Sequence, residues 1–166
     1  MSTALAPAFL VASLLLCVAG LGKLRAPAGA AAALQVGPWL VRVLAAGEVA
    51  LGAACVLHPT RGLALALAVV FGLFATVAVI YKRRRVACGC FGDDDLPVSQ
   101  AHVIASELLG TLALASAVVG PRGLGWALGL AAPQAVVLLA GVAGAVYAVV
   151  LVYTVVPRAW GAWERA

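Results

Sequence analysis

Two cysteines one residue apart, Cys88-Gly89-Cys90, stand in the one strongly polar connection of the chain, between Lys82-Arg-Arg-Arg85 and Asp93-Asp-Asp95. A disulfide joining them closes a very small ring, and the glycine supplies the backbone freedom which that ring needs. Such a bridge is strained, so it is relatively oxidising and readily exchanged. The cationic run before it favours a thiolate, whereas the three aspartates after it oppose one. Three readings follow. The pair exchanges disulfides, or it holds a soft metal ion such as copper(I) or mercury(II) through its thiolates, or it is two small residues in a turn. A closed zinc site fits poorly, because the loop has only two cysteines and the nearest histidine is His102.

A second group of reactive side chains lies in apolar surroundings. Glu48 falls near the middle of a long hydrophobic run, where a carboxylate needs a partner or a proton. Lys23 ends the run before it, and Arg42 lies one to two turns in from the same end. His102 opens a later run, with Glu107 about 8 Å deeper by helical rise. Cys17 is near the inner end of the first run; Cys55 and His58 are at the far end of the second. Lys23, Glu48, His102 and Glu107 gathered near a cysteine pair could move protons as thiols are oxidised, with Cys17 as a resolving thiol. Plainer roles stand beside these. Lys23 and Arg42 can snorkel to headgroups, His102 can be an interfacial residue, and Cys17 and Cys55 can be small packing residues.

These residues must be positioned by membrane helices. Of 166 residues, 65% are hydrophobic and 10% charged, and the mean hydropathy is +1.13. A soluble domain carries roughly 25% charged residues to cover its surface. Apolar runs cover about 5–21, 39–57, 63–81, 103–119 and 134–156. Each is about as long as the roughly 20 residues that cross 30 Å of hydrocarbon. With no water to satisfy the backbone there, each must be helical. The expected fold is therefore all-α, a polytopic bundle of four or five transmembrane helices in a single domain, 1–166. The first run lacks a basic n-region and reads as a retained helix, not a signal peptide. The segment 120–133, broken by Pro121, Gly123, Gly125, Gly129 and Pro133, is expected to be a loop or short interfacial hairpin. Small residues such as Ala45, Gly52, Gly141 and Gly144 suit close helix packing, within the bundle or across a dimer. Trp39, Trp160 and Trp163 read as interface anchors.

Five spans set nine of the 11 Lys and Arg residues on or near one face and leave only Arg61 and Arg122 on the other. The positive-inside rule then makes the first face cytoplasmic and the N-terminus external. A net charge of +5 thus needs no nucleic acid to explain it; topology and anionic headgroups account for it.

Three elements together resemble the MauE proteins, the methylamine utilisation family of the DoxX-like membrane group. Ala19-Gly-Leu-Gly-Lys23-Leu is similar to that family's AG-x-x-KL, and Glu48 with Gly52 resembles its mid-membrane E-x-x-x-G. Cys88-Gly-Cys90-Phe-Gly92, followed by Ser99, resembles its C-x-C-F-G loop and later serine. The resemblance implies a helical bundle tied to thiol–disulfide chemistry, with Cys88 and Cys90 as the exchanging pair. It further implies a thioredoxin-like partner or a disulfide-containing client, since MauE supports maturation of the disulfide-rich small subunit of methylamine dehydrogenase. The redox class carries over; that particular substrate does not. A looser resemblance to the DsbB and vitamin K epoxide reductase bundles implies quinone as electron acceptor. Against it, the chain has neither C-x-x-C nor a second cysteine pair outside, and it reads Ala105-Ser-Glu107 where an Arg-Asn pair is expected.

The leading expectation is a membrane thiol–disulfide redox protein, of the oxidoreductase kind, that supports disulfide formation or maturation in a partner. The alternative is a soft-metal or small-molecule transporter using the thiols and Glu48, and a third is a scaffold subunit without chemistry. Maturation of exported proteins wants the cysteines outside, yet Lys82–Arg85 argue for the cytoplasm. In a reducing compartment the pair rests as thiols and acts as donor, metal site or sensor.

Overall fold

The computed structural model describes residues 2–84 and 98–155. Among these residues there are seven helices and no strand: α1 Ser2–Arg25, α2 Ala28–Leu34, α3 Pro38–Leu57, α4 Arg61–Arg84, α5 Gln100–Val119, α6 Leu124–Leu128 and α7 Ala132–Thr154. Five of them, α1, α3, α4, α5 and α7, are long and apolar enough to cross a membrane. They match the five expected runs, and α1 and α4 overshoot theirs at both ends. The overshoot is polar or cationic (Arg25, Arg61, Lys82–Arg84), as expected of turns that ride beyond the hydrocarbon.

The punctuation of the chain has local causes. Pro38 takes the first helical position of α3 after Gly37, where a missing N–H costs nothing. Pro133 does the same in the first turn of α7. Gly120, with φ +93°, turns the chain out of α5 in a conformation that L side chains avoid. The broken stretch after it carries one short helix, α6, wedged against the end of α3. A side chain at Gly123 would strike the Val56 carbonyl and the Pro59 ring. One element went unforeseen. The alanine-rich segment after Pro27 is a helix, α2, closed by left-handed Gln35 (φ 55°). There Gln35 N–H reaches Ala32 O and Val36 N–H reaches Ala31 O at 3.1 Å, a Schellman closure.

Helix α1 is the axis of the bundle, packing on α3, α5 and α7. Phe9, Leu10, Ala12, Leu15 and Leu16 bury their side chains there. Helices α1 and α3 lie very close because glycine meets backbone at two levels. A Cβ on Gly52 would sit 2.6 Å from Ser13 O and from Cys17 Sγ, and one on Gly20 would sit 2.7 Å from Ala45 O. This is the small-residue packing that lets membrane helices associate without a hydrophobic driving force. Helices α4 and α5 form the other intimate pair, whereas α3 and α4 meet over a short stretch only. The gap left there positions the site.

Candidate functional site

The antiparallel run of α1 against α3 brings the last turn of α1 to the middle of α3. Lys23 Nζ donates to both carboxylate oxygens of Glu48, at 2.5 Å to Oε1 and 2.6 Å to Oε2. Both side chains are only 12% exposed. The ammonium also lies 4.9 Å from the ring centroid of Phe74 on α4, within cation–π range. Lys23 therefore turns inward and does not snorkel. Each charge supplies what the other needs in a place where either alone would be costly. Arg42, on the outward face of α3, is exposed.

A second polar station stands on the α5–α7 wall. Ser99 and His102 form a capping box at the start of α5 in which the histidine takes the place usual for Glu or Gln. Ser99 N–H donates to His102 Nδ1 at 3.2 Å, and the serine hydroxyl lies 3.0 Å from the same nitrogen. Nδ1 is thus the acceptor of the ring. His102 is buried and packs edge-on against Tyr153, with centroids 4.7 Å apart. Tyr153 Oη and Ser106 Oγ are hydrogen-bonded at 3.0 Å.

Both stations face one cavity of about 380 Å³. Its walls are otherwise apolar and come from α1, α2, α3, α4, α5 and α7. Tyr81 of α4 closes one corner by donating its hydroxyl to Ala33 O of α2 at 2.9 Å. The cavity lies toward the end of the bundle that carries Lys23, Arg25 and Lys82–Arg84.

The residues expected from sequence are thus partly united. Lys23, Glu48 and His102 line the same cavity. Glu107 does not join them; it is exposed on the outer face of α5, because five residues of helix turn it away from His102. Cys17 is not in the cavity wall either. Its thiol donates to Val49 O at 3.7 Å, in the α1–α3 seam, and that of Cys55 donates to Leu63 O at 3.6 Å. Cys88 and Cys90 lie outside the described residues, as do Trp160 and Trp163. Sequence reasoning overlooked Ser106, Tyr153 and Tyr81. The first two are single polar residues in apolar runs, and only the expectation that buried hydroxyls seek partners could have marked them.

The family model described as methylamine utilisation protein MauE matches residues 1–121. The chain belongs to the MauE family. The match takes in α1 to α5, and with them Lys23, Glu48, His102 and Ser106, and it spans the Cys88-Gly-Cys90 sequence. Together with five membrane-length helices it makes this a multi-pass membrane protein of the MauE family. Helix α7 and its Tyr153 lie beyond the matched residues. No curated protein and no solved structure matches the chain.

Proposed function

We propose that this MauE-family protein is a membrane thiol–disulfide redox protein in which Cys88 and Cys90 exchange with a partner of the thioredoxin-like kind or with a disulfide-containing client. The observation that carries the reading is the enclosed Lys23–Glu48 pair sharing a cavity with His102. The chain leaves α4 at Arg84 and re-enters α5 at Gln100. Tyr81 and His102, near those two ends, both line the cavity. In sequence, the C-x-C segment thus falls between two helices that both contribute lining residues to the cavity.

The exchange balances without another reagent. A thiolate of the partner attacks one sulfur of the Cys88–Cys90 disulfide, forming a mixed disulfide and releasing the other sulfur as thiolate. The partner's second thiolate then attacks the mixed disulfide, leaving Cys88 and Cys90 reduced and the partner oxidised. Two electrons pass, and two protons move from the partner's thiols to those of the C-x-C pair. Glu48, held by Lys23, and His102 are groups able to hold or relay such protons. The loop is assigned to the cytoplasmic side, from the basic residues at its end of the bundle.

Redox titration of the purified protein tests the reading. A reversible two-electron couple is expected, absent in Cys88→Ser. An added thioredoxin-like protein lacking its second cysteine should accumulate a mixed disulfide with the oxidised wild-type chain. Absence of a thiol couple in the wild-type chain would overturn the redox reading, and stoichiometric binding of copper(I) without such a couple would favour metal handling. Labelling of Cys88 and Cys90 in intact cells by a membrane-impermeant thiol reagent would overturn the assigned side.

A further inference from the structure

The cavity has a mouth as well as walls, and the mouth does not face water. Leu34 of α2, Leu44 and Gly47 of α3 and Leu73 of α4 line it and are at the same time exposed on the flank of the bundle. Leu44 is 52% and Leu73 59% exposed. These positions on α3 and α4 fall within spans, so the opening is sideways, into hydrocarbon. A molecule reaching it must first dissolve in the bilayer.

The polar stations decide what kind of head group fits. Lys23 and Glu48 already neutralise one another, and Ser106 is hydrogen-bonded to Tyr153. A charged head would bring an unmatched charge into a nearly dry chamber, at high cost. A neutral oxygen brings none. An ammonium has three N–H groups and a carboxylate several lone pairs. The pair can therefore hold Glu48 to Lys23 and still bind a hydroxyl or a carbonyl. A volume of about 380 Å³ lies within the usual range for small-molecule sites.

We propose that this cavity is a binding site for a neutral lipophile: an apolar chain or ring system bearing a hydroxyl or carbonyl oxygen, which enters from the bilayer past Gly47 and docks its oxygen at the Lys23–Glu48 and Ser106–Tyr153 stations. The site does not depend on the cysteines.

Gly47 provides the test. It lines the mouth, and no atom lies within 4 Å of the Cβ it lacks, so a side chain is accommodated at its root and a large one narrows the mouth. Gly72 on α4 is equally open and is not part of the lining, which makes Gly72→Leu the control. The full-length protein in lipid nanodiscs is irradiated with a long-chain alcohol bearing a diazirine, and the labelled residues are mapped. Saturable labelling of cavity residues is expected, displaced by dodecanol or by a methyl ketone of similar length, and not by dodecyl sulfonate or dodecyltrimethylammonium. Whichever neutral competitor acts better identifies the head group. Gly47→Phe should weaken binding about tenfold or more, while Gly72→Leu and the Cys88→Ser/Cys90→Ser double variant leave it unchanged. Unaltered labelling in Gly47→Phe, equal displacement by the charged amphiphiles, or label spread over the outer helix faces would each overturn the proposal.

Discussion

Helix α3 has two sides that treat glycine in opposite ways. Toward α1, Gly52 and Gly20 of the facing helix are places where even a methyl group would meet backbone oxygen at 2.6 to 2.7 Å. Toward the cavity, Gly47 has no neighbour within 4 Å of an added Cβ. On the first side glycine draws two backbones together; on the second its missing side chain leaves a passage. The same residue type thus makes both a close contact and an open one, and the functional groups sit where the two meet. Glu48 is held from the close-packed side by Lys23 and looks into the open one.

The contrast can be broken in steps, each read by reversible unfolding in mixed micelles. The largest loss is expected from Lys23→Met, which strands the Glu48 carboxylate. Removing one partner of a buried pair typically costs about 3–5 kcal/mol. Lys23→Met with Glu48→Leu should recover most of that, since replacing both charges by apolar groups is often neutral. A double variant as unstable as the single one would mean that the seam itself, not the charge, needs Lys23. Next comes Gly52→Ala, expected to cost about 2–3 kcal/mol because the obstructing atom is backbone and cannot swing aside. Tyr153→Phe should cost about 1 kcal/mol by orphaning the Ser106 hydroxyl. Gly47→Phe and Gly72→Leu should lie within about 0.5 kcal/mol of wild type. If Gly47→Phe proved as damaging as Gly52→Ala, the two faces of α3 would not differ as described.

Much of this arrangement was legible before any coordinates. The five spans follow from runs too long and too apolar for anything else, and Glu48 announced a partner because a lone carboxylate in hydrocarbon is so costly. Its identity was less plain. Lys23 could have reached the headgroups, and only the close approach of α1 and α3 through Gly20 and Gly52 turns it inward. Glu107 shows the reverse error. The rise per residue fixes depth along a helix but says nothing of azimuth, and five residues from His102 carried Glu107 to the outer face. In a helix apolar on every side there is no amphipathic stripe to mark which face is inside. Helix α2 was missed for a related reason: an alanine run between prolines reads as a connection until its Schellman closure is seen. Tyr153 escaped because nothing in its own segment distinguishes it from an interface tyrosine; its meaning lies in Ser106 and His102, which are about fifty residues away in the chain.

The order in which the site's residues occur along the chain has a consequence for how the protein is made. Of the site's residues Lys23 leaves the ribosome first, and its counterion arrives with the next membrane-length helix, so the two can pair early and insert as a neutral unit. His102 and Ser106 follow with the fourth such helix. Tyr153 comes last, from the helix least covered by the rest of the protein. Until that helix docks, the chamber lacks part of its wall. A newborn chain therefore holds its ion pair well before it holds an enclosed site, and the chamber gains its last described wall only when α7 docks.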